Sequence, residues 1–395
     1  MNVFTTTSGI TITAHKRIAP YLQQEVQQLG YTVEETFVTG LRLRGTVADC
    51  IRLNLNLRCA SQVLYSLKQF TASKADDIYN VVRSFAWEAI LPEPCYFSVT
   101  SNVSNPTINN SLFANLRVKD GIVDRLRDER GVRPTTGSEL SGIVVHLFWK
   151  QDHAELFLDT SGDSLARHGY RKIPGLAPML EGLAAATIFA SGWDARSPFV
   201  NPMCGSGTLA IEAALMATNR RPGLYRSNYA FMHLMGFDAQ VLQAEQALLN
   251  AQINNENIPT IIATDNNPRA IENAQKNAEA AGVAERIRFS VCDFADTPVP
   301  EAPGVMMINP EYGERLGEAA ALEATYARIG DFMKQQCKGY MGYVFTGNLE
   351  LAKKIGLKAK RRIEFYNSTI DCRLLEYELY AGSKREPRPA VETTI

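Results

Sequence analysis

The sequence predicts an α/β protein in which a mostly parallel sheet is preceded by two smaller α+β units, and three observations carry that prediction. Beyond residue 179, apolar strand-like runs alternate with segments of helical period, the pattern of a parallel sheet covered on both faces. Residues 1–160 instead combine short strands, helices and one hairpin signal. Between them the stretch "SGDSLARHGYRKIPGLAP", 161–178, is rich in glycine, proline and basic residues and reads as a connector. The boundaries expected are 1–56, 57–160, 161–178 and 179–385, with a tail at 386–395.

In the first unit, Ile18, Leu22, Val26 and Leu29 recur at helical spacing, and "YTVEETF" and "LRLRG" flank a Thr-Gly turn as two strands would. In the second, "QVLYSLKQF" and "CYFSVTSNV" read as strands and 74–90 and 111–129 as helices. "SGIVVHLFWK" and "HAELFLDT" form a hairpin over Gln151-Asp152. Past the connector the order is helix 179–192, strand "PFVN", helix 207–218, helix 238–254, strand "TIIATD" and helix 268–281. Strands "IRFSVCD" and "GVMMINP", helix 320–337, strand "YMGYVFTG" and two strands within 358–380 complete it.

Composition narrows the class. A chain of 395 residues with 45% hydrophobic content can bury large cores, too many for one ordinary domain. No run approaches the roughly 20 apolar residues of a membrane span, and the first 20 residues lack the apolar segment of a secretory signal, so a cytoplasmic chain is expected. Seven scattered cysteines without a Cys-x-x-Cys pair argue for reduced thiols rather than disulfides or a zinc ribbon. The five histidines show no metal-ligand spacing, and no metal is expected. Charge is balanced at 41 basic against 42 acidic residues, so any affinity for nucleic acid must come from local patches. "KKIGLKAKRR", 353–362, has six basic residues and no acid, whereas 116–133 mixes six basic with four acidic residues and reads as an ordinary charged helix face. Lys358, Lys360 and Arg361 from the first patch, and Arg167, Arg171 and Lys172 with His168 from the connector, are candidate phosphate contacts; solvated loop residues are the bland alternative.

In open α/β sheets ligands bind at the carboxyl ends of the strands. The first such end is "NPMCGSGT", 201–208, where Gly205 and Gly207 permit a tight turn and close backbone approach before a helix. It is neither a phosphate loop nor a dinucleotide fingerprint. The second is Asp265 in "IIATDNNPRA", suited to a ribose diol; the third is Asp293 in "FSVCDFAD", placed to accept from an exocyclic amine, with Phe294 able to cover a ring. The fourth is Asn309-Pro310-Glu311-Tyr312, where an amide oxygen, a proline carbonyl and an aromatic face crowd one strand end and suit a planar ring bearing an amine. Singly each is weak, because turn aspartates commonly cap helices; four in order are not.

"NPMCGSGTLAIEAALMA", "TDNNPRAIENAQKNAEAAG" and "INPEYGERLG" resemble, in order and spacing, the class I S-adenosylmethionine-dependent methyltransferases of the THUMP-domain family, especially bacterial enzymes that methylate the exocyclic amine of guanine in large-subunit ribosomal RNA. "NNSLFANLRVKDGIVD" resembles the family's THUMP helix and "LDTSGDSLARHGYR" its domain-joining signature. The resemblance implies a Rossmann-like methyltransferase domain preceded by ferredoxin-like and THUMP units, S-adenosyl-L-methionine as cofactor and RNA as partner. It assigns Asn201, Cys204, Gly205, Gly207 and Thr208 to the cofactor loop, Asp265 to the ribose and Asp293 to the adenine, and it sets Asn309, Pro310 and Tyr312 around the target amine. Many relatives have Asp where this chain has Asn201 and Pro where it has Glu311; a carboxylate at 311 is a candidate reader of guanine's N1 hydrogen. Some members carry a second methyltransferase domain, and the resemblance here covers one. Three alternatives stay open: a transfer-RNA guanine methyltransferase, an adenine-N6 nucleic-acid methyltransferase, and a non-catalytic RNA-binding assembly factor.

Overall fold

The computed structural model describes residues 2–108, 110–173, 179–312 and 319–380. The amino-terminal part runs β1 (Ser8–Thr13), α1 (Ala19–Gln28), β2 (Glu35–Phe37), β3 (Gly40–Gly45), α2 (Val47–Asn56), β4 (Gln62–Thr71), α3 (Ala75–Ser84), β5 (Tyr96–Ser104), α4 (Ser111–Arg130), β6 (Thr135–Thr136), β7 (Ile143–Lys150) and β8 (His153–Asp159). These strands form one sheet in the order β2-β3-β1-β4-β8-β7-β5-β6. Strand β4 pairs with β1 on one side and β8 on the other, so the two units expected at the amino terminus share a single sheet. Helix α1 forms for the reason its spacing implies: Pro20 sits in its first turn, and Leu22 and Val26 are buried one turn apart. Helix α2 is an element the sequence reading did not anticipate. Its start is fixed by a capping box, in which the Thr46 hydroxyl accepts from the Asp49 amide at 3.3 Å and the Asp49 carboxylate accepts from the Thr46 amide at 2.7 Å. The hairpin between β7 and β8 closes over Gln151 and Asp152, as expected.

The second sheet is built from α5 (Glu181–Ser191), β9 (Phe199–Pro202), α6 (Thr208–Ala217), α7 (Ala239–Ala251), β10 (Ile261–Asp265), α8 (Pro268–Ala280), β11 (Ile287–Val291), β12 (Val305–Ile308), α9 (Ala319–Gln336), β13 (Met341–Thr346), α10 (Leu349–Lys354), β14 (Arg361–Asn367) and β15 (Ile370–Glu378). The strand order is β11-β10-β9-β12-β13-β15-β14, with β11 through β13 parallel and the last two strands an antiparallel edge. Every residue of β9 and β12 is buried, which is why Phe199-Val200 and the whole of β12 read as apolar runs rather than alternating ones. The chain winds outward from β9 through β10 to β11 and then restarts at β12 on β9's other side, so β9 and β12 flank the topological switch point.

The connector is packed, not free. Tyr170 is buried, and His168, fully buried, has Nδ1 2.7 Å from the Glu212 carboxylate on α6 and Nε2 2.9 Å from the Arg58 carbonyl that follows α2. Both ring nitrogens face acceptors, an arrangement that suits the doubly protonated imidazolium. Burial opposes that charge, but Glu212 holds the ring above the usual histidine range. Glu25 of α1 accepts from the amides of Arg58 and Cys59, and the Arg58 guanidinium donates to the carbonyls of Leu215 and Arg220. One apolar core runs through both sheets' neighbourhoods, from Ile10 and Leu22 to Leu183 and Leu215. The connector's 174–178 and the tail at 386–395 lie outside the described residues.

Candidate active site

Strands β9 and β12 pair only at Phe199–Val305 and Val200–Met306; beyond those positions they diverge, and a cleft of about 360 Å³ opens over their carboxyl ends. Asn201 spans the opening. Its Nδ2 donates to the Met307 carbonyl at 2.9 Å, a bond an aspartate could not make; its Oδ1 is buried and without a hydrogen-bond partner among the described residues, and the residue lines the cleft. The next loop is held by the end of β10: the Cys204 amide donates to the Thr264 carbonyl, and the Gly205 amide to Asp265 Oδ2, both at 2.9 Å. Gly205 and Gly207 have φ of +55° and +81°, the left-handed region that glycine reaches without strain. At Gly207 space is limiting as well, since an added Cβ would lie 2.9 Å from Ala274 of α8. Burial pushes the Cys204 thiol up, which favours its protonated form over the nucleophilic thiolate.

Asp265 accepts from the Asn267 amide through Oδ1 at 3.0 Å, which fixes its carboxylate at the end of β10. Asp293 caps the short turn after β11 and accepts from the Ala295 amide at 2.9 Å and from Arg328 at 2.7 Å. Partial burial would raise its carboxyl, but these two donors hold it below the usual range. Arg328 also lies 4.8 Å over the Phe294 ring. The cleft therefore presents three carboxylates, three amide side chains and one guanidinium, with Phe294 and Leu209 as apolar walls.

On the β12 side, Asn309 lines the cleft with its Oδ1 buried and unpartnered among the described residues. Glu311 is exposed and lines the same cleft, its carbonyl accepting from the Tyr326 hydroxyl at 3.3 Å. Pro310 is buried. Tyr312 follows, half-buried. Its ring packs edge-on against Phe345 and its hydroxyl accepts from Asn367 Nδ2 at 2.9 Å, beside the cleft rather than in its lining. Burial pushes that hydroxyl up to about 12.

Thus Asn201, Cys204, Gly205, Thr208, Asp265, Asp293, Phe294, Asn309 and Glu311 share one cleft, while Gly207 supports it from the helix start. The basic candidates are elsewhere. Arg171 was a candidate phosphate contact, but its guanidinium is committed inside the fold, to Glu181 at 3.3 Å, the Met179 carbonyl and the Thr208 hydroxyl. His168 is buried as described, which removes it from the same list. Arg167 and Lys172 are exposed. Arg361 pairs with the buried Glu376 and Lys360 with Glu378 at 3.6 Å; with Lys358 they lie at the opposite end of the sheet from the cleft. Sequence reading missed Arg328 and Thr325, which reach the cleft from α9, an element with no strand-end signature. Among the described residues no cluster of His, Cys, Asp and Glu is arranged to hold a metal ion, and no helix is long and apolar enough to cross a membrane.

Comparison with known proteins matches residues 168–376 to the family described as RMKL-like methyltransferase domain, 72–159 to the THUMP domain and 10–64 to the RlmL ferredoxin-like domain. The ribosomal RNA large subunit methyltransferase K/L of Syntrophotalea carbinolica is 38% identical over 97% of this chain, which spans 56% of that relative's length. The putative RNA methyltransferase slr0064 of Synechocystis is 32% identical, with 95% of this chain and 98% of the relative covered. Among solved structures, SMU.472, a putative methyltransferase complexed with SAH, superposes with a TM-score of 0.85 at 26% identity, covering 95% of this chain and 99% of that one. A possible methylase from Clostridium difficile 630 gives 0.86 at 26% identity, covering 97% and 100%.

Proposed function

The chain belongs to the RMKL-like methyltransferase family, and from that premise we propose that it methylates the exocyclic N2 amine of a guanosine in RNA, with ribosomal RNA of the large subunit the favoured substrate. The family names support the reaction class, and the THUMP match supports an RNA partner. One observation carries the chemistry: the Asn309 side-chain oxygen is buried and unpartnered among the described residues, and Asn309 lines the cleft that also holds Asp265 and Asp293. A buried acceptor left unsatisfied costs about 1–3 kcal/mol and is expected to meet a donor when the site fills.

The residues fit S-adenosylmethionine. Asp265 suits its ribose hydroxyls, Asp293 the adenine amine, and the orphaned Asn201 oxygen its ammonium, while Gly205 leaves the backbone open to close approach. That cofactor supplies a methyl group already activated on sulfur, so the protein's task is orientation and electrostatics. A guanine N2 lone pair is delocalised into the ring. Asn309 Oδ1 and the Pro310 carbonyl would accept its two hydrogens, turning the nitrogen toward tetrahedral geometry and its lone pair toward the methyl. An unpaired or flipped nucleotide is required, because a base inside a helix cannot enter such a cleft. Glu311, on the same rim, can only accept. It would pair with guanine's N1 hydrogen and repel the N1 lone pair of adenine, which favours guanine over the adenine reading. The test is Asn309→Ala: turnover should fall about 10²- to 10³-fold while calorimetric affinity for S-adenosylhomocysteine stays within a few-fold. Full turnover in the variant would remove Asn309 from the chemistry.

A further inference from the structure

We propose that a lysine-lined groove at the end of the second sheet opposite the cleft binds backbone phosphates of the substrate RNA, remote from the nucleotide being modified; this rests on the RNA methyltransferase reading. The groove, about 780 Å³, is formed by the end of α9, the segment before β14 and the end of β15. Its frame is backbone pairing: Gly339 donates to Leu379, Leu379 to Tyr340 and Lys360 to Glu376. Lys334, Lys338, Lys358 and Lys360 line it with Tyr377 and Tyr380, and Glu378 is its one carboxylate among the described residues.

Local structure accounts for two of these lysines. Lys334 lies 3.4 Å from Asp331 in the last turn of α9, where a cation also answers the helix dipole, and Lys360 lies 3.6 Å from Glu378. Lys338 and Lys358 are exposed and have no ion-pair partner among the described residues. Four ammonium groups around an aromatic and aliphatic floor are poor chemistry for a protein partner, since protein interfaces are depleted in lysine at their centres. They are good chemistry for a nucleic-acid strand, which supplies phosphates for the ammoniums and a base face for Tyr380, whereas the buried Tyr377 belongs to the floor. The chain's own continuation has the wrong sign, with Lys384, Arg385 and Arg388 against Glu386 and Glu392. The six residues of β13 put about 20 Å between the groove and the cleft, so a nucleotide in the cleft cannot reach it and only a longer RNA spans both.

The test uses the full chain, an in vitro transcript of large-subunit ribosomal RNA as probe, and affinity measured between 50 and 200 mM KCl. In Lys338→Glu/Lys358→Glu, affinity should fall roughly tenfold and the salt slope flatten by about 1.4–1.8, the loss of two phosphate contacts. Affinity for S-adenosylhomocysteine and the melting temperature should be unchanged. Lys338→Ala/Lys358→Ala should flatten the slope equally with a smaller loss of affinity, which keeps the test valid if the acidic variant folds poorly. Equal affinity and slope in variant and parent would overturn the groove while leaving the methyltransferase reading intact; a groove that takes a protein segment gives this result. An equal loss in Lys276→Glu/Arg288→Glu, on the far side of the sheet, would reduce the effect to net charge and overturn it too. A parent chain that binds no RNA would overturn the RNA reading itself, and the groove with it.

Discussion

Glu311 shows how much one side chain's position decides. Its carboxylate lies on the cleft rim beside Asn309, exposed, where it can face a base edge yet remain solvated when the cleft is empty. Glu311→Gln should keep the fold and cofactor affinity but lower single-turnover rates on guanine, relative to an adenine-substituted RNA, by up to about tenfold; solvent at the rim limits the effect. An unchanged ratio would mean that Glu311 does not read the base. The residues legible in the sequence were those at strand ends, because a sheet delivers them to one place whatever their spacing along the chain. Arg328 was not legible. It reaches Asp293 from 35 residues away on the face of a helix, and only the packing of α9 on the sheet brings the two together. Tyr312 shows the converse: its motif was plain in the sequence, but its hydrogen bond to Asn367 depends on the β14–β15 hairpin folding back beside it.

The order and type of the elements in the second sheet, the unanticipated α10 excepted, followed from apolar periodicity, but their directions did not. The last two strands add antiparallel to a parallel sheet, and a strand's direction leaves no mark in its hydrophobic pattern. Helix α2 went unread because Ile51-Arg52-Leu53-Asn54-Leu55-Asn56 alternates apolar and polar residues with the period of a strand; Thr46-x-x-Asp49 was the available signal. The start of α6 is the element on which the cofactor loop depends. Gly207 has φ of +81° and Ala274 of α8 directly against it. Gly207→Ala should destabilise the protein by about 1–3 kcal/mol, from backbone strain and overpacking together, and weaken cofactor binding by displacing the loop. Ala274→Gly in the same chain should recover part of the loss by relieving the contact but not the strain. Urea unfolding with calorimetry checks both; full stability in the single variant would contradict the packing argument.

At the scale of the whole molecule, the connector joins the two halves rather than merely spanning them. The reading of 161–178 as a polar linker followed its composition, and composition is blind to Glu212, which lies 44 residues beyond His168 and gives that ring a buried partner. The folded-state pKa of His168 is raised, so its contribution to stability is complete below the ordinary histidine value and is lost as pH rises through the raised value. Breaking the pair with His168→Gln should cost about 3–5 kcal/mol at pH 6, and the gap between parent and variant should narrow toward alkaline pH. A gap that widens would mean the ring is buried neutral. With the halves locked together in this way, the THUMP-matched unit and the candidate cleft belong to one packed body, and the central claim is about what the proposed enzyme does to RNA. The most direct measurement is to incubate the full chain with large-subunit ribosomal RNA and S-adenosylmethionine carrying a labelled methyl group, digest the RNA to nucleosides and identify the labelled one. The account predicts N2-methylguanosine, absent with Asn309→Ala; label in N6-methyladenosine, or none in RNA from a folded, cofactor-binding protein, would contradict it.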